Sequence, residues 1–254
     1  MRKVAILPPA VQGQIAAGEV IERPASVVRE LVENALDAGA RRVEVRLGAG
    51  GLDLIKVADD GEGMSIEDAV VAFARHATSK LTCSEDLAVV QTLGFRGEAL
   101  PSIAAVARVR MVTRRADAPG AVVVEADGAG ARAAGMAAGA GGTTVEVAGL
   151  FEATPARRKF LRAPATEVGH VVDVLTRLAV ARPEVGFRLE HDGREVLALP
   201  PVRDLRQRLA QTLGRERAAA LVPVAARGAH AGLSGFLAPP GEHLASARLL
   251  WTYV

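Results

Sequence analysis

The chain has 254 residues, half of them apolar, a formal net charge of +2, one cysteine and five histidines. That length can bury a sizeable core in one large or two modest domains, and its longest apolar runs, such as Val4 to Leu7 and Leu87 to Val90, fall far short of the ~18 residues a membrane span requires, so no membrane partner is expected. The lone Cys83 excludes an internal disulfide, the scattered histidines point to no metal cluster, a reducing cytoplasmic setting fits, and the mildly basic, arginine-rich balance permits a nucleic-acid partner.

In chain order, Val27, Val28, Leu31, Val32, Ala35 and Leu36 recur at helical spacing and predict a helix from Pro24 to Ala38, stopped by Gly39. Val43, Val45 and Leu47 alternate as a strand, Gly48 to Gly51 turn the chain, and Leu54 to Val57 return as a second strand that runs into Asp59-Asp60-Gly61-Glu62-Gly63. Ser65 and Asp68 resemble a capping box for a second helix, to about Arg75, with Ile66, Val70 and Phe73 on one face. From His76 to Gly97 the periodicity is lost over roughly 20 residues, long for an idle connection and suited to a lid. There follow a short helix near Leu100 to Val106, a strand from Val109 to Thr113, an Ala/Gly-rich surface loop from Asp127 to Gly142 and a strand from Thr143 to Val147. Val168, Val171, Val172, Leu175 and Leu178 mark a third long helix, and Asp192-Gly193 joins strands Phe187 to His191 and Glu195 to Leu199 as a hairpin. This irregular alternation predicts an α+β fold, a mixed two-layer α/β sandwich with no internal repeat. Pro200-Pro201 is the expected boundary between a first domain, 1–200, and a second, 201–254. The second begins with a helix from Leu205 to Leu213 and ends in a strand from Arg248 to Tyr253 that lacks a neighbour, so a truncated domain is expected.

Three segments carry candidate chemistry. Glu30 and Asn34 share a helical face, Asp37 or Ala38 lying a turn further on; a carboxylate can deprotonate water and an amide oxygen can ligate magnesium, although such a pair also occurs as plain solvent-facing residues. Asp59 ends a strand before Gly61 and Gly63, where an acceptor could take the exocyclic amine of adenine and the backbone could approach a flat ligand; the alternative is an acidic turn. Gly94-Phe95-Arg96-Gly97-Glu98-Ala99-Leu100 places two glycines before a helix whose free amides suit phosphate, or else forms a simple helix entry. No Gly-x-x-x-x-Gly-Lys-Ser/Thr or Gly-x-Gly-x-x-Gly segment follows a strand, so P-loop and Rossmann nucleotide sites lack support.

Taken in order, these pieces resemble the gyrase, heat-shock chaperone, histidine kinase and MutL group of ATPases, the GHKL or Bergerat type. Within it Gln14 to Val20, Glu22 to Val28, Leu31 to Asn34, Arg75 to Lys80 and Thr154 to Leu161 resemble the MutL family of DNA mismatch repair proteins, most strongly from Ile6 to Leu161. The resemblance implies a mixed sheet with helices on one face, followed by a second α/β domain similar to the ribosomal-protein-like fold of the family. It implies Glu30 as general base, Asn34 as magnesium ligand and Asp59 as adenine reader. Gly61 and Gly63 would shape the pocket floor, and Ala77, Thr78, Ser79 and Lys80 would belong to the lid. Gly94, Phe95, Arg96, Gly97, Glu98, Ala99 and Leu100 would bind phosphates, and Thr143 matches the last nucleotide motif. Arg157, Arg158, Lys159 and Arg162 form a basic group that could meet DNA phosphates or remain a solvated charge run.

The cofactors so implied are ATP and Mg2+, and the partners are DNA, a mismatch-recognition protein of the MutS type and a second copy paired through ATP-bound N-terminal regions. The function expected is an ATP-driven switch in mismatch repair, in the bacterial cytosol; the alternative is a DNA-binding scaffold with a weakly active or inactive pocket. Segments Arg75 to Lys80 and Thr154 to Leu161 argue against a gyrase-like topoisomerase and a histidine kinase. Two departures stand out: Asp60 and Ala153 occupy positions where the family commonly has Asn, the former expected to place a second carboxylate near adenine. The family's γ-phosphate lysine comes from beyond Val254, so hydrolysis by these residues is expected to be weak.

Overall fold

The structure, a computed structural model, describes Gly13, Ile15, Ala17, Gly18 and residues 20–79, 93–94, 97–229, 231–241 and 249–253. Helix α1 (Pro24–Asp37) starts with a proline already set for helical φ and buries Val27, Val28, Leu31, Val32, Ala35 and Leu36. The hairpin of β1 (Arg42–Gly48) and β2 (Leu54–Asp59) follows, antiparallel with Val45 opposite Val57. Ser65 accepts a hydrogen bond from the Asp68 amide to cap α2 (Ile66–Val71). That helix is shorter than the expected run to Arg75. Phe73, Ala74 and Ala77 donate to residues three back, so the chain tightens into turns, and His76 at φ 63 ends them.

Beyond the undescribed stretch come α3 (Ala99–Ala104), β3 (Arg108–Arg114), β4 (Ala121–Asp127), β5 (Gly130–Ala137) and β6 (Gly142–Ala148). The surface loop expected from Asp127 to Gly142 is therefore corrected: most of it is β5, an exposed edge strand hydrogen-bonded to β4, with a bulge between Val123 and Val124. Its residues have little strand preference of their own. The open backbone edge of β4 supplies the partner that overrides composition. The short helix α4 (Pro155–Arg158) leads to α5 (Pro164–Ala181), which crosses back to the hairpin β7 (Gly186–His191) and β8 (Arg194–Leu199).

The eight strands form one sheet in the order β5-β4-β3-β6-β2-β1-β7-β8, parallel only between β1 and β7. On one face Val43, Val45, Leu47, Ile55, Val57, Met111, Val145 and Val147 are buried with the inner sides of α1 and α5. The opposite face carries charge: Lys56 pairs with Glu146 at 2.8 Å, and Arg46 faces Glu190 at 3.8 Å. Period-two alternation thus assigns helices to one layer and water to the other.

After Leu199, helices α6 (Leu205–Leu213) and α7 (Arg215–Ala220) and the separate hairpin β9 (Val222–Arg227) and β10 (Gly232–Leu237) surround a small second cluster of Val180, Leu209 and Ala218. Fully buried Arg208 donates to the carbonyls of Pro183 and Val185 at 2.8 and 2.6 Å, tying α6 to the turn before β7. The strand expected from Arg248 to Tyr253 is not formed over residues 249–253, and Arg248 itself lies outside the described residues. Tyr253 is held instead by its hydroxyl, which donates to the carbonyl of Arg177. Trp251 packs against the second apolar cluster.

Candidate functional site

The site grows from the C-terminal half of α1 and the end of β2. Helical spacing gives Glu30, Glu33, Asn34 and Asp37 one half-buried polar face opposite the apolar stripe. The Glu30 side chain is 19% exposed and lies 3.1 Å from Arg29. Asp37, one turn beyond Asn34, accepts from the amides of Leu93 and Gly94 at 3.0 Å each, one on each carboxylate oxygen. The helix is thereby fastened to the start of the second glycine segment, 57 positions away.

At the end of β2, the Asp59 carboxylate accepts from Gly61 at 2.8 Å and Thr143 at 3.3 Å. Among the described residues both bonds end on Oδ1. Burial raises the pKa of Asp59 above the ordinary carboxylate value, the amides of Gly61 and Thr143 pull it back, and neighbouring Asp60 adds to the rise. Asp60 is itself anchored. Its Oδ1 is taken by the amides of Arg41 and Arg42 at 2.7 and 2.8 Å, at the mouth of β1.

The loop after Asp59 lies tight against its surroundings. A side chain on Gly61 would stand 2.8 Å from the carbonyl oxygen of Ala38, and Glu62 donates to that same carbonyl at 3.0 Å. Gly63 adopts φ 69 with its Cα turned into the backbone of Arg114, a position closed to any larger residue. Beneath them, buried Thr113 accepts from Met64 at 2.9 Å and shares a hydrogen bond of 3.0 Å with Thr143, joining β3, β6 and the glycine loop. Thr113 was not singled out from sequence. Its inward register on β3, in phase with Val109 and Met111, is the signal that marks it.

The described ends of the segments expected as lid and phosphate cradle also meet; residues 80–92, between them, lie outside the described residues. Gly97 at φ 60 packs its Cα onto the backbone of Ala77, and His76 Nδ1 lies 3.5 Å from Glu98 Oε1. His76 and Ala77 therefore adjoin Glu98 and Gly97 at the entry to α3, where Ala99 and Leu100 form the first turn, and Thr78 and Ser79 follow directly in the chain. Lys80, Phe95 and Arg96 lie outside the described residues. Glu30, Asn34, Asp59, Gly61, Gly63 and Thr143 are organised by α1, β2 and β6. Asp37 adds a link from α1 to Gly94 that motif spacing alone left undecided.

The basic group divides. Arg157 turns inward: its guanidinium lies 5.6 Å from the centre of the Phe151 ring, fills the space over Gly18, and keeps Nη1 buried without a hydrogen-bond partner. Arg158, Lys159 and Arg162 stay exposed, with Arg158 3.9 Å from Asp53. Among the described residues no group of three or more His, Cys, Asp and Glu is arranged to hold a metal, and no helix is long and apolar enough to cross a membrane.

A mixed sheet covered on one face by helices, with a half-buried strand-end aspartate before a glycine loop, fits an ATPase domain of the GHKL class. Residues 21–125 match the family described as histidine kinase-, DNA gyrase B-, and HSP90-like ATPase. Over all 254 residues the chain is 50% identical to a DNA mismatch repair protein MutL from Anaeromyxobacter sp. (strain K), and over 251 residues 49% identical to one from Trichlorobacter lovleyi. It spans 42% of the length of each. Among solved structures, the Aquifex aeolicus MutL ATPase domain complexed with ADP superposes with a TM-score of 0.65 at 31% identity, over 82% of this chain and 73% of that one. The chain belongs to the MutL family.

Proposed function

We propose that the site binds ATP and that ATP operates a mismatch-repair switch. The observation that carries this reading is the half-buried Asp59 carboxylate, with Oδ1 fixed by two amides and Oδ2 left to accept from an amine of adenine's kind. Support comes from the Asp37 clamp on Gly94, which presents the glycine segment beside the Glu30–Asn34 face, and from the ADP named for the Aquifex relative. Asn34 supplies the neutral hard oxygen that suits magnesium, and bound magnesium would neutralise phosphate charge. Glu30, half-buried on the same face, is placed to take a proton from water. Ala77 to Lys80 act as the lid, and Gly94 to Leu100 offer main-chain amides to the phosphates.

Ordering of the lid by nucleotide then pairs two N-terminal regions and couples DNA and a MutS-type partner to the nucleotide state, in the cytosol. Residues 201–254 begin a second domain, a reading supported by their own small apolar cluster. Turnover by these residues is slow, because the lysines here are Lys3, Lys56, Lys80 and Lys159 and none matches the family's γ-phosphate lysine. Magnesium-dependent phosphate release tests the assignment. Glu30→Gln is expected to lower the rate at least about a hundredfold while keeping analogue affinity; turnover at the parental rate would contradict Glu30 as the base.

A further inference from the structure

We propose that Phe160 is a stacking platform for an unpaired base of single-stranded DNA, held in place by the turn that follows α4. Phe160 is 84% exposed. Single exposed apolar residues are common and mean little alone. Here three features combine.

The first is anchoring. On one side of Phe160, Arg157 is fixed by the Phe151 ring and the space over Gly18. On the other, Leu161 packs against the main core and the Arg162 amide donates to buried Glu167 at 2.9 Å. Phe160 and Leu161 themselves donate to the carbonyls of Arg157 and Arg158, so the backbone is a closed turn. The ring is displayed by a supported loop and loses little chain entropy on binding.

The second is charge. Arg158, Lys159 and Arg162 flank the ring within two positions and are all exposed. Among the described residues, their ion pair is Arg158 with Asp53 at 3.9 Å, so three cations face one acid around the aromatic ring. Backbone phosphates complement the cations, and a base complements the ring.

The third is the class of nucleic acid. In a duplex the base faces are covered by their neighbours, so a protruding phenyl ring gains nothing there unless the step is opened. A single strand offers its faces freely, and stacking there is tolerant of sequence. The turn therefore prefers unpaired DNA to duplex, and preference resides in Phe160 while general affinity resides in the cations. This inference rests on the DNA-binding reading of the basic group.

The test is fluorescence anisotropy at low salt with the whole chain, using a labelled oligothymidine of about 20 nucleotides, which spans one or more single-strand sites, and a duplex of the same length. Phe160→Ala and Phe160→Leu are each expected to weaken single-strand binding about tenfold and to leave duplex binding and ATP-analogue affinity unchanged. Phe160→Trp keeps single-strand affinity, and its emission is quenched on binding. Lys159→Ala weakens both probes and lowers the salt slope by about one. An unchanged thermal melt of Phe160→Ala shows that the loss is local. Equal loss on both probes, full rescue by leucine, or no change in Phe160→Ala while Lys159→Ala still weakens binding overturns the inference alone. Failure of the parent chain to bind either probe overturns the DNA reading with it.

Discussion

Asp59 is kept in an environment that disfavours its charge, and its neighbours only partly offset the cost. Burial raises its pKa in the folded chain above the ordinary 3.8. The folded state therefore holds that proton more tightly than the unfolded state, and the ionised group weakens folding at neutral pH. Replacing it with the neutral amide removes this pH-dependent part. In denaturant titrations, the stability of Asp59→Asn relative to the parent should be greatest above the raised pKa, decline as pH falls through it, and level off below about 3.8. A relative stability that rises on acidification would mean the carboxylate is stabilised by its two amides overall. At this scale the sequence was most informative where backbone and side chain cooperate: Asp59, Gly61 and Gly63 could be chosen because a strand end, a carboxylate and glycines share one short segment. For Thr113 the strand register marks only that it points inward, and its role stays hidden because its partners Met64 and Thr143 lie 49 and 30 positions away.

Between elements, the contacts that shape the site are long-range. Asp37 is a helix residue by spacing, yet its work is done on Leu93 and Gly94. Asp37→Ala removes two charge-assisted acceptors, and each such bond contributes about 1.5–3 kcal/mol. The segment at Gly94 should lose its anchor, with ATP-analogue affinity falling at least about tenfold alongside a lower thermal midpoint; an unchanged affinity would show that Gly94 is positioned by other means. Helices α1 and α5 and the strands of alternating Val, Ile and Leu were legible because burial imposes their period. Strand β5 was not, since its Ala- and Gly-rich residues are selected by pairing with β4 and lie almost wholly exposed.

Among the described residues there are two apolar clusters, and Arg208 is a polar tie between their supporting elements. It is fully buried, and its guanidinium also meets Gln211 at 2.6 Å. Arg208→Met would leave the carbonyls of Pro183 and Val185 without this donor, at a cost of about 1–3 kcal/mol for the unpaired groups. Hydrogen exchange should then show α6 and α7 losing protection before the sheet; uniform loss across the chain would mean that the clusters open together. Sheet and helix layers could be inferred from periodicity. The Arg208 tie could not, because a buried arginine on an amphipathic helix looks like a solvent-facing one until the carbonyls opposite it are known.

The central claim is that α1, the Asp59 loop and the Gly94 segment form one magnesium-dependent nucleotide site. Calorimetric titration of the folded chain with a non-hydrolysable ATP analogue, with and without magnesium, tests it most directly. The account predicts binding that requires magnesium, is lost in Asn34→Ala and is strongly weakened in Asp59→Asn. A folded parent that binds no analogue, or variants that bind it as tightly as the parent, would contradict the account.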